Sequence, residues 1–249
     1  MKCLDLFSGT HCFSKVARGL GYECVSLDIS AKQNPDIVCD ILEFDVTVWA
    51  PGTFDFIWAS PPCTLFSVAA AHVYSEDQRN ERFERGKAVA RRALEVVEYL
   101  KPKWYVFENP LSSAIWKIGL YDHLPKKKLS YCHYGFPYRK NTMLATNVDF
   151  DAKFCRYDCE FVRIIIDAKG KTHRHHAEIA QHGPSGQVRH LGIQTASYSQ
   201  DDLYRVPPKL IKDILLAAFP AFDPRDRCSG CGRHDDFCRC GDFEMFSEA

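Results

Sequence analysis

Over the first 110 residues, short unbroken apolar runs alternate with segments whose apolar positions recur every three or four residues. CLDLF (3–7) reads as a buried strand and leads into Ser8-Gly9-Thr10. A helix through Val16, Ala17 and Leu20 follows and ends near Gly21. ECVSLD (23–28) is a second strand, Asp36–Cys39 a short third and FDFIWA (54–59) a fourth. Ser75-x-x-Gln78 fits a capping box opening a long helix, with Ala90, Leu94, Val97 and Leu100 at helical spacing. KWYVFEN (103–109) is the fifth strand. This alternation predicts an α/β fold, a doubly wound and mostly parallel sheet.

The pattern changes after about residue 148, which predicts a core over 1–148 and a small region without clear periodicity over 149–200. Helical spacing returns in DDLYRVPPKLIKDILLAAF, where Ile211, Leu215 and Ala218 share a face, so 201–222 is expected to pack back on the core. Residues 223–249 form a polar, cysteine-rich tail.

Formal net charge is zero, so any attraction to nucleic acid must come from local patches. The opening MKCLDLFSGT has no long apolar run, and no stretch approaches a membrane span, which predicts neither a signal peptide nor a membrane partner. Twelve cysteines without such a signal read as reduced thiols, some catalytic or metal-bound, in an intracellular protein of cytoplasm or nucleus.

Candidate chemistry gathers at the predicted strand ends. Gly9 lets the backbone approach a ligand above the sheet edge; Asp28 would suit a ribose diol and Asp40 an adenine amino group. An ordinary turn with solvated acids is the alternative. Pro61-Pro62 fixes the chain just beyond the fourth strand and presents Cys63 rigidly at the ligand edge. Carbon 5 of cytosine is a poor nucleophile until a thiolate adds at carbon 6, and a carboxylic acid at ring nitrogen 3 would relieve the charge that develops. Glu108, ending the fifth strand, is the candidate acid; Asn109 could hold the base or the local backbone.

In this order, LDLFSGTHCFSKVARGLGYE, SLDIS, CDIL, SPPCTLFS, FENP and YGFPYRKNT resemble the motifs of cytosine-5 DNA methyltransferases, particularly the short forms of phages and large DNA viruses. The likeness covers 3–147, with YRVPPKLIKDIL as a closing helix. It implies a Rossmann-like methyltransferase fold in which 149–200 carries target recognition. It also implies S-adenosylmethionine as cofactor, held by Phe7, Ser8, Gly9, Thr10, Asp28, Ile29, Asp40, Ile41 and Pro61. Catalysis would fall to Cys63 as nucleophile, Glu108 at ring nitrogen 3 and Arg139 in support. Pro62, Ser67, Asn109, Lys140 and Thr142 would meet a cytosine flipped from duplex DNA, under a mobile loop at 64–80. If viral, the protein would act in a host cell. Three motifs depart from the family: Gly9-Thr10-His11-Cys12 for Gly-x-Gly-Gly, Glu108-Asn109-Pro110 for Glu-Asn-Val, and Tyr138-Arg139-Lys140 for Gln-x-Arg-x-Arg.

Lys126, Lys127 and Lys128 with Arg139 and Lys140 could track phosphates, or the three lysines form a solvated loop. Gln181, Gln187, Arg189 and Gln194 could reach base edges. Cys228, Cys231, Cys238 and Cys240 suit a structural zinc, and Cys155-x3-Cys159 with His173, His175 or His176 is a second candidate. A tRNA cytosine-5 methyltransferase and a catalytically silent homologue are the competing functions. A zinc deaminase is disfavoured, because Arg227 stands where its motif needs Pro.

Overall fold

The computed structural model of the chain describes residues 1–66, 74–167, 169–178 and 198–220. Seven strands form one sheet: β1 (Lys2–Leu6), β2 (Glu23–Asp28), β3 (Ile37–Val38), β4 (Phe56–Ala59), β5 (Trp104–Pro110), β6 (Lys126–Ser130) and β7 (Asn141–Thr146). Their order is β3-β2-β1-β4-β5-β7-β6. The first five are parallel, while β7 runs antiparallel to both β5 and β6.

The central strands read as apolar runs because both faces are covered. Alternate residues sort the two cores. Cys3, Phe56, Trp58 and Val106 face α1 (Cys12–Gly19) and a C-terminal helix, whose Leu210, Ile211, Ile214 and Leu215 are fully buried. Leu4, Ile57, Ala59 and Phe107 face α2 (Glu76–Leu100), which buries Val89, Ala90, Ala93, Leu94, Val97 and Leu100. Ser75 caps α2 in the expected capping box with Gln78.

Three features differ from the sequence expectation. Lys126–Lys128 belong to β6 rather than to a loop, and Lys126 and Lys127 pair with Asp122 and Asp149, so neither is held free for phosphate. Part of the small region forms a hairpin, β8 (Val162–Ile166) with β9 (Thr172–His176). The stretch expected as one helix over 201–219 is two, α3 (Gln200–Tyr204) and α4 (Pro208–Ala218). Pro207-Pro208 breaks it, since proline removes a donor and clashes inside a helix but is well placed at the start of one. Among the described residues no helix is long and apolar enough to cross a membrane.

Candidate active site

The strand order reverses between β1 and β4, and a crevice at the carboxyl ends of the strands is expected there. A cavity of about 310 Å³ occupies it. The turn after β1, the end of β2, the segment after β4 and the end of β5 all line this cavity, and α3 and Val206 wall it from the far side.

The turn after β1 is conformationally unusual. Phe7, Gly9 and His11 have φ of 61°, 44° and 62°. His11 stands where the resembled motif has glycine, and a left-handed non-glycine residue costs about 1–2 kcal/mol. Two side-chain contacts hold it: Nδ1 lies 3.0 Å from the Ser14 hydroxyl and Nε2 2.7 Å from the Gln33 carbonyl. Gly9 N–H donates to one carboxylate oxygen of Asp28 at 2.9 Å and Ser30 N–H to the other at 2.8 Å. Each oxygen keeps a further lone pair for a ligand. The buried Ser8 hydroxyl, which lines the cavity, has no hydrogen-bond partner among the described residues.

Cys63 opens a single tight turn, Cys63–Phe66, seated on α2. Asn109 Nδ2 donates to the Pro61 carbonyl at 2.7 Å, which ties the Pro-Pro-Cys segment to the end of β5. Glu108, only 7% exposed, accepts a 2.8 Å hydrogen bond from the Tyr131 hydroxyl. Burial pushes the Cys63 thiol above its ordinary value and the Glu108 charge adds to this, while the Lys140 ammonium opposes it. Burial also drives the Tyr131 phenol far up, with Glu108 adding. Beneath the turn, burial lifts Asp5 to about 7 against hydrogen bonds from Ser14.

Of the expected cofactor residues, Phe7, Ser8, Gly9, Thr10, Asp28 and Pro61 line the cavity. The other three do not. Ile29 is 60% exposed, an apolar side chain left without cover. Asp40 pairs with Arg85 at 2.7 Å, and Ile41 is packed into the core beside α2. Pro62, Cys63, Glu108, Asn109 and Lys140 line the cavity, whereas Thr142 is buried within β7 opposite Pro110.

Arg139 does not reach this cavity. Its guanidinium stacks 4.7 Å from the Tyr157 ring and lines a second cavity of about 550 Å³, which shares Pro110 and Lys140 with the first. Ser67, the four glutamine and arginine candidates for base contact, and the tail cysteines Cys228, Cys231, Cys238 and Cys240 lie outside the described residues.

Sequence reasoning missed Tyr131 as the partner of Glu108, Gly86 beneath the Cys63 turn, and Cys132 beside Cys155 and Cys159. All three matter through contacts between distant segments, which no local spacing reports.

The sequence model of the C-5 cytosine-specific DNA methylase family matches residues 1–111. A protein of Frog virus 3 (isolate Goorha), described as a probable DNA (cytosine-5)-methyltransferase, is 31% identical over 227 residues. That alignment takes in 86% of this chain and 99% of the viral protein. Among solved structures, the Entamoeba histolytica methyltransferase EhMeth is 13% identical with a TM-score of 0.45, over 63% of this chain and 57% of that one. The S. pombe Dnmt2 methyltransferase is 14% identical with a TM-score of 0.41, over 64% and 52%. The chain spans about half the length of these two structures.

Proposed function

The chain belongs to the C-5 cytosine-specific DNA methylase family, and from that membership we propose that it methylates carbon 5 of cytosine in DNA, with Cys63 as nucleophile and Glu108 as acid. The observation that carries this assignment of roles is the placement of both side chains, from the ends of adjacent strands β4 and β5, on one cavity that Asp28 enters from β2. RNA as substrate and a silent homologue are not favoured, since the family and the viral relative are both named for DNA.

The residues present fit S-adenosylmethionine. Phe7, Phe13, Trp58 and Pro61 supply apolar walls, Asp28 faces a diol, and the unpartnered Ser8 hydroxyl offers a polar contact. Bound there, the cofactor would supply an electrophilic methyl group to carbon 5. Cys63, its proton lost to solvent, forms a sulfur bond to carbon 6 of the flipped base while ring nitrogen 3 takes a proton from Glu108 in its carboxylic acid form. Carbon 5 thereby becomes enamine-like. Once carbon 5 carries the methyl, loss of its proton to solvent, return of the nitrogen 3 proton to Glu108 and expulsion of sulfur as thiolate restore the aromatic ring, the acid and the free cysteine. Tyr131 orients the carboxyl, and Asn109 keeps the Pro61–Cys63 segment beside it. Lys140 opposes at the thiol the charge that Glu108 carries when ionised, before it takes up the proton it gives to the base. Arg139 lines the neighbouring cavity, which supports a contact with the substrate rather than with the thiol.

Transfer of tritiated methyl from S-adenosylmethionine to unmodified duplex DNA tests this, with Cys63→Ala alongside and base-resolution mapping of the product. Label on cytosine carbon 5 that disappears in the variant is expected. A folded protein that binds the cofactor yet labels no DNA would overturn the reading.

A further inference from the structure

Cys132, Cys155, Cys159 and His176 form a cluster of ligating groups away from the first cavity. Their three sulfurs and one imidazole nitrogen lie within 4.8 Å of one another. The side chains are 0, 1, 9 and 7% exposed. Cys155 Sγ and His176 Nε2 are already 3.4 Å apart. A tetrahedral zinc with bonds of about 2.0–2.3 Å separates its ligand atoms by about 3.3–3.8 Å, so contraction by about 1 Å or less would complete the set.

The ligands come from three segments. Cys132 sits in the turn after β6, Cys155 and Cys159 in the loop before β8, and His176 ends β9. Among the described residues the β8–β9 hairpin has little else to fold around. Ile164 and Ile166 are 65% and 67% exposed, and the buried core beneath it is the three cysteines, flanked by Phe161 and Val162. A lone two-stranded hairpin is marginal in water, and small units without a sufficient core are commonly stapled by a metal. Arg139 and His133 lie close enough for their charges to act on His176, and would offset the net negative charge of a three-thiolate, one-imidazole zinc site.

We propose that Cys132, Cys155, Cys159 and His176 bind one structural zinc that fastens the β8–β9 hairpin to the β6–β7 side of the sheet. Soft thiolates in a closed set of four select zinc and leave no position for catalysis. The site holds in place His175 and Glu178, which wall the second cavity beside Arg139 and Lys140.

The test uses full-length Cys228→Ser/Cys231→Ser protein, purified without chelators, so that the tail cysteines do not contribute the signal. Elemental analysis should find one zinc per chain, and X-ray absorption should give three sulfurs and one nitrogen. Adding His176→Cys should retain the metal with four sulfurs, and adding Cys155→Ser/Cys159→Ser should remove it. Hydrogen exchange needs no further substitution: stripping zinc should deprotect 155–167 and 172–176 while β5 keeps its protection. The proposal is overturned by zinc at trace level only, by zinc retained without Cys155 and Cys159, by a disulfide among the three cysteines, or by unchanged exchange after stripping.

Discussion

Gly86 is a buried glycine in the middle of α2, where alanine should be better by about 1 kcal/mol on helix propensity alone. The structure opposes that gain. A Cβ at position 86 would lie 3.0 Å from Leu65 Cβ and 3.1 and 3.2 Å from Phe66 Cζ and Cε1. Carbon atoms in comfortable contact sit about 3.5–4.0 Å apart, so the turn must retreat by about 0.5–1 Å. Leu65 Cβ is fixed to the backbone, and the buried Phe66 ring is packed edge-on against Phe83 at 6.0 Å, so neither yields by a rotamer change alone. The retreat therefore passes along Cys63–Phe66 to Cys63, the proposed nucleophile, two residues away. Overpacking costs about 1–3 kcal/mol, which roughly cancels or modestly exceeds the propensity gain. A nucleophile misplaced by about 1 Å costs on the order of 10²-fold in rate. Gly86→Ala should thus leave the melting temperature within a few degrees of the wild type. Single-turnover methyl transfer should slow by tens of fold or more, with cofactor affinity intact. A variant that melts higher and transfers methyl at the wild-type rate would show that α2 does not press on the Cys63 turn.

Three further outcomes follow from the same contacts. Glu108→Gln should slow methyl transfer by about 10²–10⁴-fold, yet it removes a charge that raises the Cys63 thiol, so iodoacetamide alkylation of Cys63 near neutral pH should speed up; slower alkylation would contradict the charge assignment. Tyr131→Phe deletes a hydrogen bond to a charged group, worth about 1.5–3 kcal/mol, and should lower kcat by about ten- to a hundredfold with KM for DNA little changed; an unchanged kcat would remove Tyr131 from the orienting role. Asp5, lifted to about 7 in the fold from an ordinary 3.8, holds a proton that the unfolded chain releases. Between pH 4 and 7 the folded state binds more protons, so stability falls as pH rises, by about 4 kcal/mol at most over those three pH units. Asp5→Asn should flatten that fall in denaturant titrations, and parallel stability curves for the two proteins would refute it.

What could be read from the sequence was the parallel half of the sheet. β1, β2, β4 and β5 are buried on both faces, so their identity is written as continuous apolar runs. The candidate chemistry lies at their carboxyl ends, directly after those runs. The antiparallel half was hidden for physical reasons. β6 begins with three lysines because it is an edge strand, where charge discourages further pairing, and only Leu129 and Ser130 are buried. THRHH shows no apolar alternation, because its hairpin packs on cysteine rather than on a broad apolar face. Ile41 reads like a ligand contact by its place after Asp40, but the chain turns there and the side chain enters the core. His11 stands where the family pattern has glycine, and Ser14 and Gln33 hold it in a left-handed conformation that a glycine would adopt freely.

The antiparallel insertion of β7 explains how Lys140 reaches the site at all. Had β7 run parallel to β5, its first residues would lie at the opposite edge of the sheet from Glu108. Running antiparallel, it sets Thr142 opposite Pro110, so the residues just before it arrive where β5 ends. Lys140 then stands between the two cavities, donating to the Leu203 carbonyl at 2.8 Å and passing 5.0 Å from the Tyr131 ring. Arg139, one residue earlier, faces the other cavity and stacks on Tyr157 from the loop before β8. The parallel strands thus supply the proposed cofactor side and the two proposed reacting groups, and the reversed strand brings the cations. A change confined to the hairpin should therefore alter KM for DNA through Arg139 and its neighbours while leaving cofactor affinity unchanged. Lys140→Met should act on both sides: it weakens DNA binding and also raises the Cys63 thiol by removing the charge that opposes Glu108. Thiol alkylation slowed in Lys140→Met, with cofactor affinity unchanged by titration calorimetry, is the expected pairing. Faster alkylation would show that Lys140 does not act on Cys63.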